Sequence, residues 1–234
     1  MKIKAENRSA IILILGVIII AVTYQCLRLL PVSYQILDPI SAVYNLFLTG
    51  ILAFIVLKDE FIEWFKHFSI KWTLITIPSL LVASFALGKI WQLISGEALV
   101  ENAINSMITW GYVATHIPFM LMGEELLSIT LLFALWKKLN WKFWQASLVC
   151  AVLFAFWHIA SYEYNVLQIL ITIVAPRLIL NEAFKKSNSI WTTWAAHVAF
   201  DIISFLPLLL IKKCTQQEYS KATVYQGIGE YRAH

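Results

Sequence analysis

Long apolar runs separated by short polar segments repeat along the whole 234-residue chain. A helix that crosses the bilayer needs roughly 20 mostly apolar residues to span about 30 Å of hydrocarbon. By this rule the sequence predicts an all-α, polytopic membrane bundle. Its spans, about seven in number, are expected near residues 9–30, 40–57, 72–94, 104–136, 143–161, 166–184 and 190–211.

The fourth run is too long for one simple crossing, so the sequence predicts either a tilted helix or an interfacial start broken near Pro118. The first run follows a basic start, as a secretory signal does, but its length and the lack of an A-x-A-like exit favour a retained span. The segment "KDEFIEWFKHFSIKW" (58–72) has the pattern of an amphipathic surface helix between two spans.

Composition supports a membrane protein. Hydrophobic residues make up 60% of the chain and charged residues 14%, with a mean hydropathy of +0.73, whereas about 25% of the residues of a soluble domain are charged. The net charge of +4 is modest and dispersed between the apolar runs, which argues against a nucleic-acid partner and favours the lipid bilayer. Three distant cysteines without a CxxC motif argue against disulfides and thiolate metal sites.

Charge between the spans predicts their orientation. Three loops are rich in lysine, whereas the loops near 97–101 and 161–165 contain no Lys or Arg. The positive-inside tendency therefore places the N-terminus and the basic loops in the cytoplasm. Seven spans would leave the basic residues of the C-terminal tail outside, so the count is open by one. The loop lysines are Lys58, Lys66, Lys71, Lys137, Lys138, Lys142, Lys185 and Lys186.

Two adjacent carboxylates, Glu124 and Glu125, lie inside the apolar run "FMLMGEELLSITLLFALW" (119–136). Each ionisable residue at bilayer depth costs roughly 3 kcal/mol, so such residues usually face a cavity and serve a function. Neighbouring helix positions diverge by about 100°, so only one of the two can point into a given cavity. The alternative is an interfacial helix end solvated by headgroups.

Three further polar residues lie on later apolar segments. His158 follows Phe154 by one turn in "FAFWH", and His197 and Asp201 share a helix face in "HVAFD". A carboxylate one turn away can fix the tautomer of an imidazole or raise its basicity. Taken singly, His158 can equally be a packed interfacial residue, and His197 with Asp201 a polar pair that joins two spans.

The remaining ionisable candidates are less informative. His116 precedes the glutamates by eight residues and can line the same cavity. Arg177 can neutralise a buried carboxylate or snorkel to the interface, and snorkelling is the default expectation. These remaining candidates are His116, Arg177 and Glu182.

Together, a carboxylate pair, a histidine and a His/Asp turn supply what a water-activating site needs: a general base, oxyanion donors and an orienting acid. The sequence contains no G-x-S-x-G nucleophile element and no HExxH zinc helix. A proton-coupled transporter is a third reading, which the lack of an inverted repeat weakens.

The motifs "EELL", "FAFWH" and "HVAFD", in this order on successive spans, resemble those of the CAAX protease and bacteriocin-processing (CPBP, or Abi) family of intramembrane endopeptidases. The resemblance covers roughly residues 104–210. It implies that Glu124 is the general base, assisted by His158, and that Glu125 orients its neighbours. His197 and Asp201 would stabilise the oxyanion or position the water.

The resemblance also has implications for the cofactor and for catalytic activity. It implies a metal-free glutamate mechanism, so no cofactor is favoured, although two histidines and a carboxylate leave zinc open. The family's first motif is usually EExxxR, and here Ile129 occupies the arginine position. This departure indicates a subgroup variant, replacement by Arg177 from another span, or an inactive protein.

The resemblance gives the expected organisation and setting. We expect N-terminal spans and an amphipathic loop in 1–100, a catalytic core in 101–211 and a polar tail in 212–234. The substrate would be a membrane-associated peptide or protein, cut in bacteriocin self-immunity or peptide processing at the cell membrane of a bacterium. The alternative is a catalytically inactive immunity or scaffold protein of the same fold.

Overall fold

The computed structural model describes the backbone of residues 2–231 and the side chains of residues 6–212, and this part contains helices and no strand. The predicted all-α bundle is therefore confirmed. Most of the predicted tail (212–234) has side chains outside the described residues. The α-helices are α1 (Lys2–Cys26), α2 (Tyr34–Leu57), α3 (Asp59–Lys66), α4 (Ile70–Ser95), α5 (Trp110–Thr115), α6 (Ile117–Phe133), α7 (Phe143–Trp157), α8 (Val166–Thr172), α9 (Val174–Ser187) and α10 (Ile190–Tyr231).

Within the described residues, six helical segments are long and apolar enough to cross a membrane. They are Glu6–Leu29, Tyr34–Leu57, Ile70–Ser95, Ile117–Lys138, Val166–Ser187 and Ile190–Lys212. The remaining predicted span corresponds to α7, a shorter apolar helix that ends at Trp157 instead of reaching residue 161. At about 1.5 Å per residue α7 is shorter than these six segments, and it joins the lysine-rich loop at 137–142 to the lysine-free loop at 161–165.

The long fourth run is broken, as one of the two sequence alternatives predicts. A short turn at Ala103–Ser106 and the six-residue α5 precede α6, which begins at Ile117 with Pro118 in its first turn. Proline is tolerated there because the first backbone N–H groups of a helix have no intrahelical partner. The break frees α6 from the preceding segment and lets it run through the centre of the bundle.

A second break divides the sixth predicted span into α8 and α9. The first piece ends at Thr172, four residues before Pro176. A proline ring collides with the carbonyl group four residues earlier and offers no N–H to it, which explains the position of the break. The chain resumes as α9, whose first turn carries Arg177 to Glu125 of α6.

α6 is the central helix of the bundle. Of the residues from Leu121 to Phe133, all are buried except Glu124. Trp64 of the amphipathic α3 closes the core beyond its end, with ring centroids 5.2 Å from Phe133 and 5.6 Å from Phe184. The carboxylate pair therefore lies on the most enclosed helix of the structure.

The three lysine-rich loops meet at one end of the bundle. Lys138, after α6, pairs with Glu60 of α3. Lys185 at the end of α9 lies 4.2 Å from the ring of Phe143 at the start of α7. The lysine-free loops lie together at the opposite end, where Asn102 donates to the hydroxyl of Tyr162 at 3.4 Å. The predicted orientation depends on this separation of the lysine-rich loops from the lysine-free loops.

Candidate active site

Glu124 and Glu125 leave α6 in different directions, as neighbouring helix positions must. Glu125 is completely buried and contacts residues of α9 and α10. Glu124 keeps 14% of its side chain exposed and lines a cavity of about 410 Å³. One carboxylate of the pair is thus enclosed by protein, and the other is accessible to an occupant of the cavity.

Gly123, the residue before the pair, permits the close approach of α2 to α6. A Cβ atom at this position would lie 2.8 Å from the backbone nitrogen of Leu46 and 2.9 Å from Cβ of Asn45. Both distances are shorter than ordinary van der Waals contact, so a side chain here would push the helices apart. The glycine therefore fixes the backbone that carries Glu124.

Arg177 neutralises Glu125. Its Nη1 donates to Oε1 at 2.7 Å and its Nη2 to Oε2 at 3.0 Å, and both side chains are fully buried. The expectation that Arg177 snorkels to the interface is wrong, because the buried carboxylate offers its charge a two-point partner within the bundle. The alternative, neutralisation of a buried carboxylate, is what the structure shows.

Two polar residues hold the guanidinium in place. Arg177 Nε donates to Oδ1 of Asn181 at 3.0 Å, and Asn181 Nδ2 donates to Oγ of Ser147 in α7 at 3.1 Å. The guanidinium carbon also lies 5.3 Å from the centroid of the Phe154 ring, within the range of a cation–π contact. Helices α6, α7 and α9 are therefore joined through one buried network.

His197 connects this network to the cavity. Its Nδ1 lies 2.9 Å from Oε1 of Glu125 and must donate, because a carboxylate only accepts. Its Nε2 lies 4.0 Å from Oδ1 of Asp201, one turn further along α10, and both side chains line the cavity. The buried pair thus fixes the orientation of an imidazole whose other nitrogen remains available to an occupant.

His158 faces Glu124 from the end of α7. Its Nδ1 donates to the backbone carbonyl of Phe154 at 2.9 Å, because that oxygen only accepts. The opposite nitrogen, Nε2, lies 3.8 Å from Oε1 of Glu124. This separation is too long for a direct hydrogen bond, but a water molecule can contact both atoms.

The cavity therefore brings together four of the five predicted site residues, with Glu125 enclosed directly behind them. The wall away from the site residues is largely apolar and includes Leu80, Leu121 and Phe200. It also includes the strap, by which we mean the non-helical residues 98–102 between α4 and the turn before α5. The four site residues that line the cavity are Glu124, His158, His197 and Asp201.

Two other candidates lie elsewhere. His116 Nε2 is 3.1 Å from Oδ2 of Asp38, and its ring stacks on Tyr112 at the beginning of α6. Glu182 lies at the far end of α9 and forms surface ion pairs with neighbouring lysines. Neither residue lines the cavity, so His116 joins α2 to α6 and Glu182 belongs to the surface.

Sequence reasoning missed several residues around the site. Asn181 follows Arg177 by four positions, the same spacing that singled out His197 and Asp201, so this partner had a detectable signal. Ser147 and Tyr162 had none, because the contacts that place them join segments far apart in the chain. Burial raises the pKa of the Tyr162 hydroxyl, so this residue presents an O–H group to the cavity at neutral pH.

The geometry bears on the zinc alternative left open by the sequence. Among the described residues, no three His, Cys, Asp or Glu side chains converge so that they could hold a metal ion. One nitrogen of each candidate histidine donates to a neighbour, His158 to a backbone carbonyl and His197 to Glu125, while the opposite Nε2 of each stays available. The described residues thus contain no converging three-ligand set of the kind that a catalytic zinc ion uses.

Comparison with known proteins finds a family match over part of the chain. Residues 103–203 match the family described as Rce1-like, type II CAAX prenyl endopeptidases. No curated protein and no solved structure matches the chain. The matched segment contains all three motifs and all five site residues, so the predicted resemblance is confirmed. Residues 103–203 of this multi-pass membrane protein are therefore similar to the Rce1-like family of CAAX-type endopeptidases.

Proposed function

We propose that the protein hydrolyses a peptide bond of a membrane-associated peptide with a water molecule activated by Glu124. One observation carries this proposal: Glu124 faces His158 across a gap of 3.8 Å at the wall of the cavity, while Glu125 is fully engaged by Arg177 and His197. A general base must lie within hydrogen-bond reach of the proton that it takes, directly or through a water.

The chemistry follows from these positions. Water held between Glu124 and His158 gives a proton to the carboxylate, and its oxygen attacks the scissile carbonyl carbon. The carbonyl oxygen becomes an oxyanion, to which His197 donates through Nε2 when that atom carries a proton. The C–N bond then breaks as Glu124 returns the proton to the leaving nitrogen. Water is consumed, and one acid and one amine are formed.

Arg177 supports catalytic competence despite Ile129. A buried, uncompensated Glu125 would repel the negative charge that develops next to it, and Arg177 cancels that charge through two hydrogen bonds. We therefore propose that an arginine of α9 replaces the one that the first motif lacks. The rival hypothesis is an inactive scaffold protein. In such a protein the compensation of the Glu125 charge would serve folding only.

The resemblance alone suggests the biological setting. We propose that the substrate is a peptide processed at the cell membrane of a bacterium, in self-immunity to a bacteriocin or in peptide maturation. The apolar cavity wall supports a substrate that partitions into the membrane. Deletion of the protein should then leave one exported or membrane peptide uncut, which mass spectrometry of the membrane fraction detects.

The test is cleavage by the purified full chain in lipid nanodiscs. The probes are an internally quenched prenylated peptide ending in a CAAX sequence and its unprenylated counterpart. We expect Glu124→Gln to lower cleavage by about a hundredfold or more, while Glu182→Gln on the surface of α9 leaves it unchanged. Equal cleavage by wild type and Glu124→Gln would exclude Glu124 as the base.

A second arm addresses metal. Cleavage that survives a chelator such as 1,10-phenanthroline agrees with a glutamate mechanism, whereas loss that zinc restores requires a metal-bound water. The scaffold hypothesis predicts two different results. The protein would cut neither probe nor any peptide of its own membrane, and its Glu124→Gln variant would retain the cellular effect.

A further inference from the structure

A single buried side chain hydrogen-bonds to both backbone groups of Val100 in the strap. The backbone N–H of Val100 donates to Oε1 of Gln168 at 2.9 Å, and Gln168 Nε2 donates to the carbonyl of Val100 at 2.8 Å. Gln168 lies in α8 and is 1% exposed. One amide thus reproduces the two hydrogen bonds by which a neighbouring β-strand would hold residue 100.

The opposite edge of the strap has no partner. In an extended chain the N–H and C=O groups of successive residues point to alternate edges, so those of Leu99 and Glu101 point away from Gln168. Among the described residues, no hydrogen bond engages the backbone N–H or C=O of either residue. The strap therefore presents unpaired backbone groups on the side away from Gln168.

Residues of the strap line the same cavity as the candidate catalytic residues. Leu99, Val100 and Glu101 line it together with Glu124 and His158. A substrate peptide in a helical conformation has its carbonyl groups engaged by its own N–H groups, whereas an extended peptide leaves them free for attack. An extended peptide also gains its affinity by adding a strand to an exposed edge.

We propose that the strap is the substrate-binding edge of the protein, with which an extended peptide pairs through the backbone groups of Leu99 and Glu101. The ligand is a peptide in the β conformation, recognised through its main chain before its carbonyl is attacked. This inference rests on the proposed function but concerns binding, so it can fail while hydrolysis by Glu124 stands.

The first test compares two variants that both lack the Glu101 carboxylate but differ in one backbone N–H donor. Glu101→Pro eliminates the N–H of residue 101, and Glu101→Ala retains it while losing the same carboxylate. With the prenylated CAAX peptide as probe, we expect Glu101→Pro to raise KM by roughly threefold to tenfold over Glu101→Ala, with kcat nearly unchanged. Ala103→Pro, at the first position of the next turn, is the proline control and should match wild type.

The second test needs no variant of the strap. Glu124→Gln keeps the cavity but cannot activate water, so peptide can be bound without being cut. We expect the amides of Leu99 and Glu101 to exchange hydrogen for deuterium at least about tenfold more slowly when the peptide is bound. The inference is wrong if the peptide binds and exchange in the strap does not change, or if Glu101→Pro and Glu101→Ala have the same KM.

Discussion

Arg177 and Glu125, from helices that are separate in the sequence, form a fully buried ion pair with two hydrogen bonds of 2.7 and 3.0 Å. The pair also orients the cavity histidine, because Glu125 accepts a hydrogen bond from His197. Removal of either charge would leave the other uncompensated inside a membrane protein.

We predict that Arg177→Leu destabilises the protein by about 3–5 kcal/mol, because a buried pair that loses one partner leaves an isolated charge. The double variant Arg177→Leu, Glu125→Leu should recover much of that loss, although not the activity. Denaturation in detergent mixtures, followed by tryptophan fluorescence, measures the free energy of unfolding. The control is Lys185→Gln, which breaks an exposed pair with Glu182 and should cost no more than about 1 kcal/mol.

We also predict that an arginine at position 129 can replace Arg177. Position 129 lies one turn beyond Glu125 on α6, and a glutamate followed by a basic residue four positions later forms a favourable pair. In the background of Arg177→Gln, which should lose activity by at least about tenfold, Ile129→Arg should restore part of it. Ile129→Leu in the same background is the matched control, and recovery with leucine would show that charge is irrelevant.

A third prediction concerns the glycine before the pair. Gly123→Ala should destabilise the protein by about 1–3 kcal/mol and lower activity, because the new Cβ collides with the backbone of α2. Gly50→Ala is the control on the facing helix: its Cβ would meet only Leu126 Cδ1, at 3.8 Å. If the two substitutions have the same effect on unfolding, close packing at Gly123 does not matter.

The fourth prediction is a pH dependence. Burial raises the pKa of Tyr162 above the ordinary value of 10.0, so the folded state keeps a proton that the unfolded state releases first. The contribution of Tyr162 to stability is therefore complete below about pH 10 and is lost as the pH rises further. Tyr162→Phe should lose less stability than wild type between pH 9 and pH 11, measured by unfolding at each pH. A constant difference between the two proteins across that range would contradict this assignment.

Sequence patterns predicted the helical class and most of the spans, because hydrophobic runs are local signals, and isolated charges singled out residues that the structure gathers at one cavity. The partner of Glu125 could not be chosen in the same way. Snorkelling and burial of Arg177 differ in whether a carboxylate lies opposite it, and that depends on the packing of α9 against α6, two helices whose paired residues are 52 positions apart in the chain. The strap shows the same limit, because Gln168 and Val100 are 68 positions apart.

The end of the bundle at which the strap lies has a topological consequence. Lysine-rich loops gather at the other end, where Lys138 meets Glu60, and the positive-inside tendency assigns that end to the cytoplasm. A peptide that pairs with the strap would then reach it from the side of the membrane opposite the cytoplasm. A membrane-impermeant label on the thiol of a Glu101→Cys variant would report which side the strap faces.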